Sequence, residues 1–146
     1  MPVSKRFVLV LLAATATASD SAFAHHSQAM FDMSQCLSIE GTVRTFQFGF
    51  PHSWLWIVVP GKQGGEPEIW GFESAAPVQM MEVNPRWKRD VVAKGDRVTI
   101  RYSPMKDGRH AGALGTLALP DGSVLRAATP ACQKELGTPV PATPAK

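Results

Sequence analysis

The chain is poor in charge: Asp, Glu, Lys and Arg make up 18% of its 146 residues, against about a quarter in an average soluble domain. Hydrophobic residues reach 45% and mean hydropathy is close to zero. A disordered polyelectrolyte and a coiled coil are thereby excluded. Long apolar runs are also missing, because residues 7–14 fall far short of the about 20 that a membrane-crossing helix needs. Catalytic signatures are absent too: there is no G-x-S-x-G elbow, P-loop, dinucleotide fingerprint or H-E-x-x-H. Ser27 and Ser53 stand beside histidines, but adjacency in sequence is not hydrogen-bonding geometry. An enzyme is not expected. With 2 Cys and no C-x-x-C, a dithiol redox motif is excluded as well. What the chain does have is 12 Gly and 12 Pro, which leave little room for long helices.

Residues 1–24 read as a secretory signal. Lys5 and Arg6 form the positive n-region, 7–14 the apolar core, and Ala22-Phe23-Ala24 the small-x-small cleavage site. Export, most simply to the periplasm, then leaves His25 at the mature N-terminus. The leader takes Lys5, Arg6 and Asp20 with it, so the formal charge falls from +3 to +2. The pI of 9.1 is mostly the leader's and says little about an anionic partner. In an oxidising compartment Cys36 and Cys132 are expected to form one disulfide joining the two ends of the domain. A loop this long is stabilised by about 4–5 kcal/mol in the chain-entropy account. Two buried free thiols are the other reading. The domain is expected over residues 25–137, followed by a disordered Pro-rich tail at 138–146.

Strand signals dominate after Cys36. Leu37, Ile39, Gly41 and Val43 alternate with polar residues, and then Phe46, Phe48 and Phe50 take the opposite phase. That switch predicts a β-bulge near Arg44 and Thr45, in a bent strand able to serve two sides of a small barrel. Residues 54–59 are apolar on both faces and read as a central strand. Residues 68–73 read as its return, with Trp70 and Phe72 on one face. Ser74 is expected to cap a short helix at 78–82, and Asn84-Pro85 to stop it and cap a further turn. Val98, Ile100 and Tyr102 should face inward from a strand at 97–102. The stretch 107–115 reads as a Gly-rich loop, and 114–119 and 123–127 as a hairpin around Pro120-Asp121-Gly122. Three strands, a short helix and two or three more strands predict an all-β fold. The closest match is a small OB-like Greek-key β-barrel with one short helix between strands 3 and 4. A meander or a small sandwich would give a similar string.

Several short motifs occur in order: His25-His26-Ser27, Phe31-Asp32, Gly41-Thr42-Val43, Pro51-His52-Ser53-Trp54, Trp87-Lys88-Arg89-Asp90, Gly95-Asp96-x-Val98 and Asp107-Gly108. Together they resemble a family of small exported bacterial proteins catalogued as a domain of unknown function, over roughly residues 25–127. The family usually has Asn where this chain has Phe50, and Gly where it has Arg86. The resemblance implies export and a β domain, but no reaction or ligand.

Two constellations could carry function. At the predicted mature terminus His25 offers both its α-amine and its imidazole. His26 follows, and His52 lies at a turn that could face the same rim. These nitrogens suit Cu(II), Ni(II) or Zn, and Met30 or Met33 could add a soft ligand for Cu(I). A copper site on His25, His26 and His52 is therefore one expectation, with solvated polar histidines as the other. His110 reads as an exposed loop residue, and Met80 and Met81 as core filler. Glu73, Glu82 and Asp90 could approach one another, but nothing pairs them. The second constellation is aromatic: Phe46, Phe48, Phe50, Trp54, Trp56, Trp70, Phe72 and Trp87. A surplus of rings outside the barrel would suit a protein or glycan partner in the envelope. Nucleic acid is not expected outside the cytoplasm. The overall expectation is an exported, non-enzymatic binding or accessory domain.

Overall fold

The computed structural model describes residues 28–132. The expected leader, tail, His25 and His26 lie outside the described residues. A 3-10 turn at Gln28–Met30 leads into six strands: β1 (Leu37–Gln47), β2 (Trp54–Val59), β3 (Glu68–Glu73), β4 (Arg97–Pro104), β5 (Ala111–Ala118) and β6 (Val124–Arg126). One helix, α1 (Pro77–Val83), sits between β3 and β4. Strands pair in the order β3-β2-β1-β4-β5-β6, and a further β3–β5 pairing closes the first five into a barrel. Closure is parallel, with Gly71 opposite Ala111 and Glu73 opposite Ala113. This is the OB topology with its helix between strands 3 and 4.

β1 makes the closure possible. Its first half pairs with β4 from Leu37 to Thr42, and its second half with β2 from Thr42 to Gln47. The register shifts between Val43 and Thr45, so the bulge lies where the apolar phase switches. The extra residue lets Val43 and Phe46 both face the interior although they are an odd number of positions apart. Val43, Leu55, Ile57, Phe72, Val98, Ile100, Tyr102, Leu114, Leu117 and Leu125 fill the core. Met80 of α1 and Trp87 join them, the latter donating from Nε1 to the Arg126 carbonyl at 2.8 Å.

Several local expectations need correction. β2 is buried on one face only, through Leu55 and Ile57, because a closed barrel leaves one side of every strand outside. Ala76, not Ser74, occupies the helix N-cap; Pro77 begins the helix, and Gln79 Oε1 accepts from the Ala76 N–H at 3.3 Å. Asn84 does stop the helix and head a further turn as expected, its Oδ1 accepting from the Arg86 N–H at 3.0 Å. Met81 is exposed, since α1 turns only Met80 and Pro77 inward. Residues 111–115 belong to β5 rather than to a loop, because pairing with both β3 and β4 outweighs their glycines.

The ends of the described chain are fastened to the barrel. Cys36 and Cys132 form a disulfide. Before Cys36, Phe31 is buried with Met105, Ala113 and Ala131 in a second apolar cluster. The Asp32 N–H donates to the Pro104 carbonyl at 2.8 Å. Asp32 accepts from the Ser34 N–H, the Ser34 hydroxyl and Gln35 Nε2, and these bonds hold its carboxyl below the usual carboxylate range. Among the described residues no helix is long and apolar enough to cross a membrane.

Candidate functional site

His52 follows the cis Phe50–Pro51 bond and immediately precedes β2. The β2–β3 hairpin places Trp54 opposite Glu73. Its ladder continues past the strand ends, with the Ser74 N–H donating to the Ser53 carbonyl at 2.8 Å and the Ser53 N–H to the Ala75 carbonyl at 3.1 Å. His52 and Glu73 are thus held at the same end of the hairpin, and His52 Nδ1 pairs with Glu73 Oε1. The side chain of Glu73 is 10% exposed and that of His52 37%. Burial pushes the Glu73 carboxyl above the usual carboxylate range, against the opposing pull of His52. Among the described residues His52 Nε2 has no partner.

The pair lines a cavity of about 180 Å³, together with Gln28, Phe31, Met33 and Ser74. That is smaller than the about 300–1,000 Å³ typical of drug-sized ligand sites, and suits an ion or a small ligand. Ser74 is buried, and its Oγ has no hydrogen-bond partner. Ala128, Thr129 and Pro130 also line the cavity, so it lies between the barrel and the segments leading into the two cysteines.

Of the three histidines expected as ligands, only His52 falls among the described residues, and of the two methionines offered beside them Met33 lines its cavity. Its cavity is nevertheless lined by Gln28, the first described residue after His25 and His26. Among the described residues no three His, Cys, Asp or Glu side chains gather to hold a metal, so an ion at His52 requires ligands from elsewhere. Glu73 and Ser74 were not singled out as site residues. The signal for Glu73 was available, since a hairpin of two equal strands matches the end of one to the start of the other. The register across residues 60–67 that would turn it into a contact is not encoded locally. His110 is kept away from this site. Its ring stacks on Trp70 at 4.6 Å, and Trp70 Nε1 donates to Glu68 Oε2 at 3.1 Å.

The outer face of the hairpin carries aromatics too. Trp54 and Trp56 stack at 5.4 Å with 15° between their planes. Trp56 lies against Gly71, where an added Cβ would come within 2.4 Å of the ring. Phe72 and Trp87 are core residues, while Phe46, Phe48 and Trp70 pack at its edge.

Residues 12–114 match a family described as of unknown function, DUF6152. No curated protein matches the chain. Among solved structures, the chain is similar to the crystal structure of the mitochondrial single-stranded DNA binding protein Rim1 of S. cerevisiae. Identity is 14%, the match covers 59% of this chain and 93% of that one, and the TM-score is 0.44. The OB topology stands on the strand pairing alone.

Proposed function

The chain belongs to this family of unknown function, membership that brings no activity with it, and we propose from the site that the protein is an exported domain binding a transition metal, copper by preference. The observation that carries this reading is the placement of His52. Glu73 holds its Nδ1, and His52 lines a cavity that Gln28 also lines. A carboxylate on the far nitrogen of a histidine is the usual outer-shell support of a metal ligand, fixing ring orientation and raising basicity. A chain extends about 3.3–3.6 Å per residue, so the short tether upstream of Gln28 gives His25 and His26 the reach to join His52. Export supplies the rest of the ligand set, because cleavage before His25 frees an α-amine that can chelate beside its own imidazole. Nitrogen donors of this kind favour Cu(II) over Zn and Ni(II). The role is one of holding or handing on the ion.

Cu(II) titration of protein beginning at His25 tests this reading, beside protein carrying one extra N-terminal residue and beside His52→Ala. Each change is expected to weaken binding by about tenfold or more, or about 1.4 kcal/mol. Equally weak binding by all three proteins would remove the site. Binding should also raise the melting temperature of the native-terminus protein.

The outward Trp54–Trp56 stack favours a second reading, a protein- or glycan-binding envelope module that uses the β2–β3 face common to OB-fold binding sites. In that reading the histidines are incidental.

A further inference from the structure

We propose that the outer face of the β2–β3 hairpin binds a flat, ribbon-like chain of uncharged β-linked sugars, stacked on Trp54 and Trp56. This commits the second reading above to a glycan and rests on that reading, independently of any metal. Residues paired across a ladder share a face of the sheet. Trp54 and Trp56 therefore stand on the side away from the core, with Gly71 opposite Trp56 on β3 and Ile69 one step further along. On the β1 flank, Gln47 pairs with Trp54 and Thr45 with Trp56. Both indoles are half-buried, and Thr45, Gln47 and Ile69 are exposed.

The two indoles form a platform parallel to the sheet. A Cβ added to Gly71 would stand 2.4 Å from Trp56 Cζ3, and 2.8 and 2.9 Å from the adjoining ring atoms Cε3 and Cη2. Neighbour distances barely longer than the nearest one describe an approach over the face of the ring rather than its edge. Trp56 thus rests one face on β3 and turns the other away from the sheet. Trp54 lies within 15° of the same plane, its centroid 5.4 Å away. The electron-rich face of an indole takes the C–H-lined face of a pyranose, and a flat platform takes successive rings only from a flat chain. Beside it, the Thr45 hydroxyl and the Gln47 amide have no hydrogen-bond partner among the described residues, which leaves donors and acceptors for sugar hydroxyls. Charge decides between a glycan and a nucleic acid. Single strands stack on aromatic platforms inside grooves whose basic residues track the phosphates. β1, β2 and β3 hold one basic residue between them, Arg44, and the outward carboxylate Glu73 is engaged by His52. The face therefore complements a neutral ligand.

The test is isothermal titration of the protein with cellohexaose, with chitohexaose and with a single-stranded oligothymidylate, tryptophan fluorescence being followed alongside. At least one hexasaccharide should bind and perturb the fluorescence, and the oligothymidylate should not bind. Trp54→Ala should weaken the sugar by about tenfold or more. Gln47→Ala, a change at an exposed side chain, should weaken it by about threefold or more and keep the far-ultraviolet circular dichroism of the parent, so it carries the test even where Trp54→Ala fails to fold. Sugar affinity unchanged in the folded variants would overturn the platform as the binding site. Binding of the oligothymidylate in place of both sugars would overturn the glycan in favour of a nucleic acid. Binding of none of the three would also overturn it. In that case an envelope protein retained by the parent but not by Trp54→Ala would leave the docking reading of this face standing, and the lack of one would overturn both.

Discussion

His52 gains its chemical character from one neighbour. An exposed imidazole at a turn is free to rotate, whereas this ring has Nδ1 engaged by Glu73. The carboxylate is itself kept from water, which raises its pKa and strengthens its hold on the ring. Glu73→Gln keeps an acceptor oxygen but removes the charge. It is expected to lower Cu(II) affinity by about 10–100-fold, as measured by isothermal titration. Thermal stability at neutral pH should be unchanged or higher in that variant. The sign follows from the raised folded-state pKa: the ionised form is disfavoured by folding, so its contribution improves as pH falls and worsens as pH rises through that pKa. A glutamine escapes that dependence.

Among the elements, the β2–β3 hairpin does most to build the site. Its register sets Trp54 against Glu73 and Trp56 against Gly71, putting an acidic group at the cavity and an aromatic pair on the outer face of one ladder. Gly71 is required by the second pairing, because the Trp56 ring occupies the volume where a Cβ would stand. Gly71→Ala should push Trp56 off the sheet and cost about 1–3 kcal/mol. Urea unfolding reads the cost, and loss of near-ultraviolet circular dichroism from the Trp54–Trp56 stack reads the displacement. The strands themselves were legible: 54–59 and 68–73 could be bounded from their apolar runs and the Pro and Gly between them. The bulge in β1 was legible for the same reason, since a change of phase along a strand has a single simple cause. The single-sided burial of β2 was not legible, because which face of an apolar strand is covered depends on barrel closure.

At the scale of the molecule, the cavity is made by both ends of the described chain. Gln28, Phe31 and Met33 approach it on the way to Cys36, and Ala128, Thr129 and Pro130 on the way to Cys132. The disulfide therefore braces two walls of the site as well as closing the domain. Replacing both cysteines by alanine removes a link across a sequence separation of 96. The expected loss is about 4–5 kcal/mol, a large part of the stability of a small domain. Urea denaturation measures that loss. At temperatures where the variant remains folded, hydrogen exchange should show segments 28–35 and 128–131 opening before the barrel does, with copper affinity falling alongside.

The sequence by itself determined the order of strands and helix, the position of the bulge and, with only Cys36 and Cys132 to choose from, the one pairing a disulfide could have. All of these follow from local periodicity or from simple counting. It also singled out His52 and Met33 as chemically capable side chains. Only the tertiary structure decided that Glu73 stands beside His52, that Met33 rather than Met30 shares their cavity, and that Gln28 brings the start of the domain to the same rim. Those placements depend on hairpin register, on barrel closure and on the docking of two terminal segments. Each is a long-range pairing between stretches whose own residues do not record which partner they will meet.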